Sequence, residues 1–75
     1  MTRREKLLAR ARAHPKGLDF AEFETLLRQC GWGFEHQTGS HRIWRSPAGA
    51  VLSIQTGLDG KAKSYQVEQF LKHVE

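Results

Sequence analysis

Four histidines, twelve Lys/Arg residues and a single cysteine bound the side-chain chemistry open to this 75-residue chain. One histidine stands in a setting suited to chemical work. The stretch Thr38-Gly39-Ser40-His41-Arg42-Ile43-Trp44 reads as a tight turn feeding a strand, with Gly39 supplying the positive φ that such a turn needs. His41 then sits at the mouth of a hairpin, fixed by strand backbone yet reachable by a ligand. Other chemistries fit poorly. His36 and His41 have no cysteine or carboxylate set at short spacing to complete a zinc site. Ser40 and His41 are strand neighbours whose side chains point to opposite faces, so they cannot form the hydrogen-bonded pair of a hydrolase triad. No glycine pattern fits a phosphate-binding loop in a βα unit. What remains is an imidazole, the side chain most often used for proton transfer, among cations and hydroxyls. That combination suits RNA cleavage, where the substrate brings its own nucleophile, the 2′-OH, and the protein supplies an acid or base and a grip on phosphate. The residues leave a second reading open, in which His41 only hydrogen-bonds the hairpin and the domain binds nucleic acid without cutting it.

The elements that must hold this stretch are short. Seventy-five residues make one domain with a small core. The net charge of +4 and pI near 9.7 are compatible with an anionic partner. Residues 1–17 carry six Lys/Arg against one Glu, residues 18–35 one Arg against four acids, and residues 36–63 four basic residues against one Asp. A positive arm and a positive centre thus flank an acidic helix. Cys30, being alone, excludes an intramolecular disulfide and a cysteine-rich metal site. It falls on the apolar face of that helix, as a small hydrophobe rather than a nucleophile. No apolar run reads as a signal peptide or a membrane span, so a cytoplasmic location is expected.

Arg3 to Ala13 is composed of good helix formers with a narrow stripe of Leu7, Leu8 and Ala11, and His14-Pro15-Lys16-Gly17 stops it. Asp19 as N-cap with Glu22 three residues on is a capping box, which opens a helix with Phe20, Phe23, Leu26, Leu27 and Cys30 on one face. Gly31 closes that helix, and Trp32 beyond it can fold back onto Leu27. Three strands are expected at residues 32–37, 40–46 and 50–56, joined by hairpin-length turns into an antiparallel meander. In the first, Trp32, Phe34 and His36 alternate as one face. In the second, Ile43 and Trp44 point opposite ways and the pattern does not say which is inside. A glycine-bracketed loop, residues 57–63, presents Lys61 and Lys63 ahead of a last helix capped by Ser64. Its apolar stripe is Val67, Phe70, Leu71 and Val74. The expected core is Phe20, Phe23, Leu27, Phe34, Leu52, Ile54, Val67, Phe70 and Leu71. The reading is an α+β domain, α-β-β-β-α, whose three-stranded antiparallel sheet is covered on one face by helices. An extra basic N-terminal helical arm (residues 1–17) precedes the main domain (residues 18–75).

Three segments carry a family likeness: Leu26-Leu27-Arg28-Gln29-Cys30-Gly31-Trp32, Gly39-Ser40-His41-Arg42-Ile43-Trp44-Arg45-Ser46-Pro47, and Gly60-Lys61-Ala62-Lys63 before a helix. Together they resemble the HicA family of mRNA interferase toxins from bacterial toxin–antitoxin modules, over roughly residues 18–75. The resemblance implies a double-stranded-RNA-binding-domain-like α-β-β-β-α fold and ribonuclease activity that needs no metal or other cofactor. It also implies His41 as the catalytic histidine and a HicB-type antitoxin as partner. RNA contacts would come from Gly39, Ser40, Arg42, Lys61 and Lys63. Family members often carry basic residues two places before the glycine-serine pair and just before its glycine, where this chain has Gln37 and Thr38.

Overall fold

The capping signals at the two ends of residues 18–32 set the first rigid element. In the computed structural model, which describes residues 2–74, helix α2 spans Phe20–Gln29. Its N-terminus is closed by Glu22, whose carboxylate accepts from the Asp19 backbone N–H at 3.1 Å. Its C-terminus ends on Gly31 at φ +87°. The Gly31 N–H donates to Arg28 O (3.0 Å) and the Trp32 N–H to Leu27 O (2.9 Å), the paired bonds of a Schellman motif. Trp32 is thereby turned back into the core, edge-on to Phe70 with ring centroids 5.9 Å apart. It is buried, and the first strand begins one residue later.

That strand, β1 (Gly33–Thr38), pairs with β2 (His41–Arg45), which pairs with β3 (Val51–Ile54) in an antiparallel meander. Helix α3 spans Ser64–Val74 and α1 spans Arg3–Ala13, with a single 3₁₀ turn at Pro15–Gly17. The Lys63 carbonyl accepts from the N–H groups of Gln66 and Val67, so the cap of α3 falls one residue before the Ser64 expected from sequence. The architecture is α+β in the order α-β-β-β-α, with α1 added in front. No helix is long and apolar enough to cross a membrane among the described residues.

Trp44 settles the phase of the sheet. It is fully buried, and with Leu52 and Ile54 it meets Phe23, Leu26, Leu27, Val67 and Phe70 from the helices. An indole buries far more apolar area than an isoleucine side chain, so Trp44 rather than Ile43 wins the inward position. Ile43 and His41 accordingly lie on the open face. Phe70 is the keystone, with Phe23 edge-on at 5.8 Å and Trp32 on its other side. From α1, Ala11 is fully buried in the same core and Leu7 and Leu8 pack against it. Arg10 pairs with Glu22 at 2.6 Å across the α1–α2 contact.

Phe34 corrects the sequence reading. It is 44% exposed rather than core. Its ring leans edge-on against Trp44 at 5.6 Å, and the Arg42 guanidinium lies 4.3 Å from its centroid. β1 is an edge strand that overhangs the helices, so a side chain on its inner face is covered from one side only. The expected alternation of Phe34 with His36 also fails. The register runs Phe34↔Trp44 and then His36↔Ile43, with a bulge at Glu35 between them. The extra residue switches phase, so Phe34 follows Trp44 to the helix side and His36 follows Ile43 to the open side.

Candidate functional site

The β1–β2 hairpin turn is Gly39-Ser40, closed by the Thr38↔His41 pair. Gly39 has φ +60° while Ser40 keeps a negative φ, the signs of a type II′ turn with glycine first. Gln37 braces it, donating from Nε2 to the Gly39 carbonyl at 2.9 Å. His41 emerges from this turn on the open face. Its Nδ1 lies 3.2 Å from the Ser53 hydroxyl. Ser53 stands opposite Ile43, so it is the diagonal neighbour of His41 across β2–β3, within side-chain reach. Among the described residues Nε2 has no hydrogen-bond partner, and the ring is exposed. A hydroxyl accepts from Nδ1–H or donates to bare Nδ1, so Ser53 holds the ring in both tautomers and leaves Nε2 outward.

Around His41 the rim is polar. The Ser40 hydroxyl donates to Gln55 Oε1 at 3.4 Å. The Gln55 backbone N–H is held at 3.0 Å by Oε1 of the buried Gln66, in the first turn of α3. Thr56 bridges to Ala62. The glycine loop is therefore strapped down. Gly57 N–H donates to Lys61 O, Ala62 N–H to Leu18 O and Phe20 N–H to Gly60 O, and Lys61 bridges to Asp19.

The cations named from sequence divide. Lys61 is engaged, its ammonium 2.9 Å from Asp19 Oδ1. That contact raises the lysine pKa and lowers the aspartate's through the hydrogen bond first and charge second. Lys63 makes no ion pair among the described residues and, with Lys16, lines a shallow depression at the start of α3. Arg42 points away from His41. Its Nε contacts Glu24 Oε2 on α2, which also accepts from the Trp44 indole at 3.2 Å, and its Nη1 donates to Gln37 at 3.1 Å. Strand alternation separates Arg42 from the imidazole by the thickness of the sheet. The open face instead holds His36, Thr38, Ile43, Arg45, Val51 and Ser53 with His41, and Arg45 is neutralised by Glu35 at 3.0 Å. Among the described residues no three His, Cys, Asp or Glu side chains gather as a metal cluster. Cys30 sits at the fringe of the core, and burial pushes its thiol pKa up, away from nucleophilic use.

Sequence reasoning missed Ser53, Gln66 and the placement of His36. Alternation along residues 50–56 sets Val51, Ser53 and Gln55 on one face of the third strand. Pairing Ser53 with His41 required the β2–β3 register.

The fold and the site define a small α+β domain that keeps one sheet face clear of helices and mounts an anchored histidine on it. The family model described as "HicA toxin of bacterial toxin-antitoxin" matches residues 20–75, from the first residue of α2 onward. The chain belongs to the HicA toxin family, and so to the toxin side of such systems. No curated protein and no solved structure matches it.

Proposed function

We propose that this protein is a ribonuclease toxin acting on mRNA in the cytoplasm, with His41 as general acid/base and a HicB-type antitoxin as its silencing partner. The observation that carries the proposal is the anchored imidazole: Nδ1 on Ser53 at 3.2 Å, in an exposed ring whose Nε2 has no partner among the described residues. Membership of the toxin family supports the same reading. Nε2 takes the proton of a ribose 2′-OH, whose oxygen attacks the adjacent phosphorus in line and expels the 5′-oxygen. The product is a 2′,3′-cyclic phosphate or its hydrolysed form. Three protein groups can hold the phosphate: the Gly39-Ser40 turn, the Ser40 hydroxyl, and Lys63 with Lys61. Lys61 must exchange Asp19 for a phosphate, a trade of one anion for another. Arg42 serves the site indirectly, by fixing the hairpin against Glu24 and Gln37; a phosphate contact from it requires leaving that pair.

The test is cleavage of RNA by the purified chain in chelator, wild type against His41→Ala, with end-group analysis. Loss of activity in the variant by at least about 100-fold, together with cyclic-phosphate ends, is expected. Cleavage that survives His41→Ala, or ends carrying a 3′-hydroxyl, refutes it.

A further inference from the structure

The reaction needs a second proton transfer. The 5′-oxygen leaves as an alkoxide unless an acid meets it on the side of phosphorus opposite the attacking 2′-oxygen. We propose that His36 is that acid, so that the site is a histidine pair.

Three observations place it there. The bulge at Glu35 moves His36 out of phase with Phe34 and onto the open face. The pairs Thr38↔His41 and His36↔Ile43 put His36 two positions along β1 from the residue opposite His41. It is thus a diagonal neighbour on the same face, with backbones about 7–8 Å apart. Two imidazoles at that spacing can each reach one apical oxygen of an in-line phosphorane, one hydrogen bond on either side. The His36 ring is also available, since its side chain is 57% exposed and its nearest charged partner, Glu35 Oε2, stands 3.9 Å from Nδ1, beyond hydrogen-bonding distance. Glu35 is itself committed to Arg45 through both carboxylate oxygens.

The step balances. The 2′-OH proton goes to His41 Nε2, the 2′-oxygen–phosphorus bond forms as the phosphorus–5′-oxygen bond breaks, and the His36 proton passes to the departing 5′-oxygen. Exchange of both protons with water resets the pair. Without the bulge, His36 would share the Phe34 side and the face would carry one histidine only. The irregularity in β1 is therefore what assembles the pair.

This rests on the ribonuclease reading, and the experiment separates the two. Cleavage of an oligoribonucleotide is compared with cleavage of the same strand carrying a bridging 5′-sulfur at the mapped site, because a thiolate leaves without needing a proton. His36→Ala and His36→Gln are expected to slow the oxygen substrate by about 100-fold and to cleave the sulfur substrate within about threefold of wild type. His41→Ala is expected to lose both. Equal losses on the two substrates, or no loss on the oxygen substrate in either variant, overturn the role of His36. Full activity of His41→Ala on both substrates overturns the acid/base role given to His41 in that reading instead, and the oxygen-to-sulfur contrast in the His36 variants still decides their part. No cleavage of either substrate by the wild type overturns the ribonuclease reading itself.

Discussion

Replacing Glu24 with alanine tests the contact that holds Arg42 against α2, on the side of the sheet opposite His41. The Glu24 side chain is 12% exposed and its Oε2 serves two donors, Arg42 Nε and the Trp44 indole N–H. Trp44 is fully buried, so its N–H has no route to water once the carboxylate is gone, at a cost of about 1–3 kcal/mol. Arg42 keeps 27% exposure and can turn to solvent, so the lost ion pair adds only about 1 kcal/mol. Alanine in the middle of α2 returns a few tenths, about 0.3 kcal/mol, through helix propensity. The sum is a loss of about 2–4 kcal/mol, which for a domain this size lowers Tm by about 10–20 °C. Urea titration and thermal melting followed by tryptophan fluorescence measure it. Glu24→Gln keeps a neutral acceptor for the indole and should lose roughly half as much. A loss in Glu24→Ala below about 1 kcal/mol would refute the reasoning. Equal losses for Ala and Gln would move the energy from the indole to the ion pair.

Phe70→Ala removes the ring between Phe23 and Trp32 and should cost about 3–5 kcal/mol, most of what a domain of this length holds; a denaturant midpoint near wild type would show that α3 does not carry the core. Lys63→Gln should flatten the salt dependence of RNA binding by about one unit of slope. Lys61→Gln should do so by less, since Asp19 already holds that ammonium, and filter binding across a salt series separates them. The pKa values of Asp19, Glu22 and Glu35 are lowered, each first by the side-chain hydrogen bond from its Lys61 or Arg partner. Carboxylates whose folded pKa is depressed add stability that is complete above their ordinary values, about 4, and is lost as the pH falls through the depressed ones. Tm should therefore drop on acidification below about pH 5, with Glu22→Gln showing the smaller drop. Because these pairs are solvent-exposed, added salt should reduce the effect.

What the sequence determined by itself is local. The capping box at Asp19 and Glu22, the glycine stop at Gly31 with Trp32 folding back, and the Gly39 turn are each satisfied by hydrogen bonds within a few residues. Their partners are written next to one another, and the element order and the HicA family pattern follow from them. The core stripes of α2 and α3 were legible for the same reason, since helical periodicity records burial directly. Tertiary structure decided whatever depends on two strands meeting. Ile43 and Trp44 have equal claims to the inside until the helices offer a cavity that only the indole fills. A bulge at Glu35 costs nothing visible in a single strand, yet it switches the phase along β1, leaving Phe34 on the helix side at the sheet edge and bringing His36 to the side of His41. Ser53 becomes the partner of His41, and Arg42 is drawn to Glu24, because strand register and helix docking set distances between residues 12 and 18 positions apart, which no local pattern encodes.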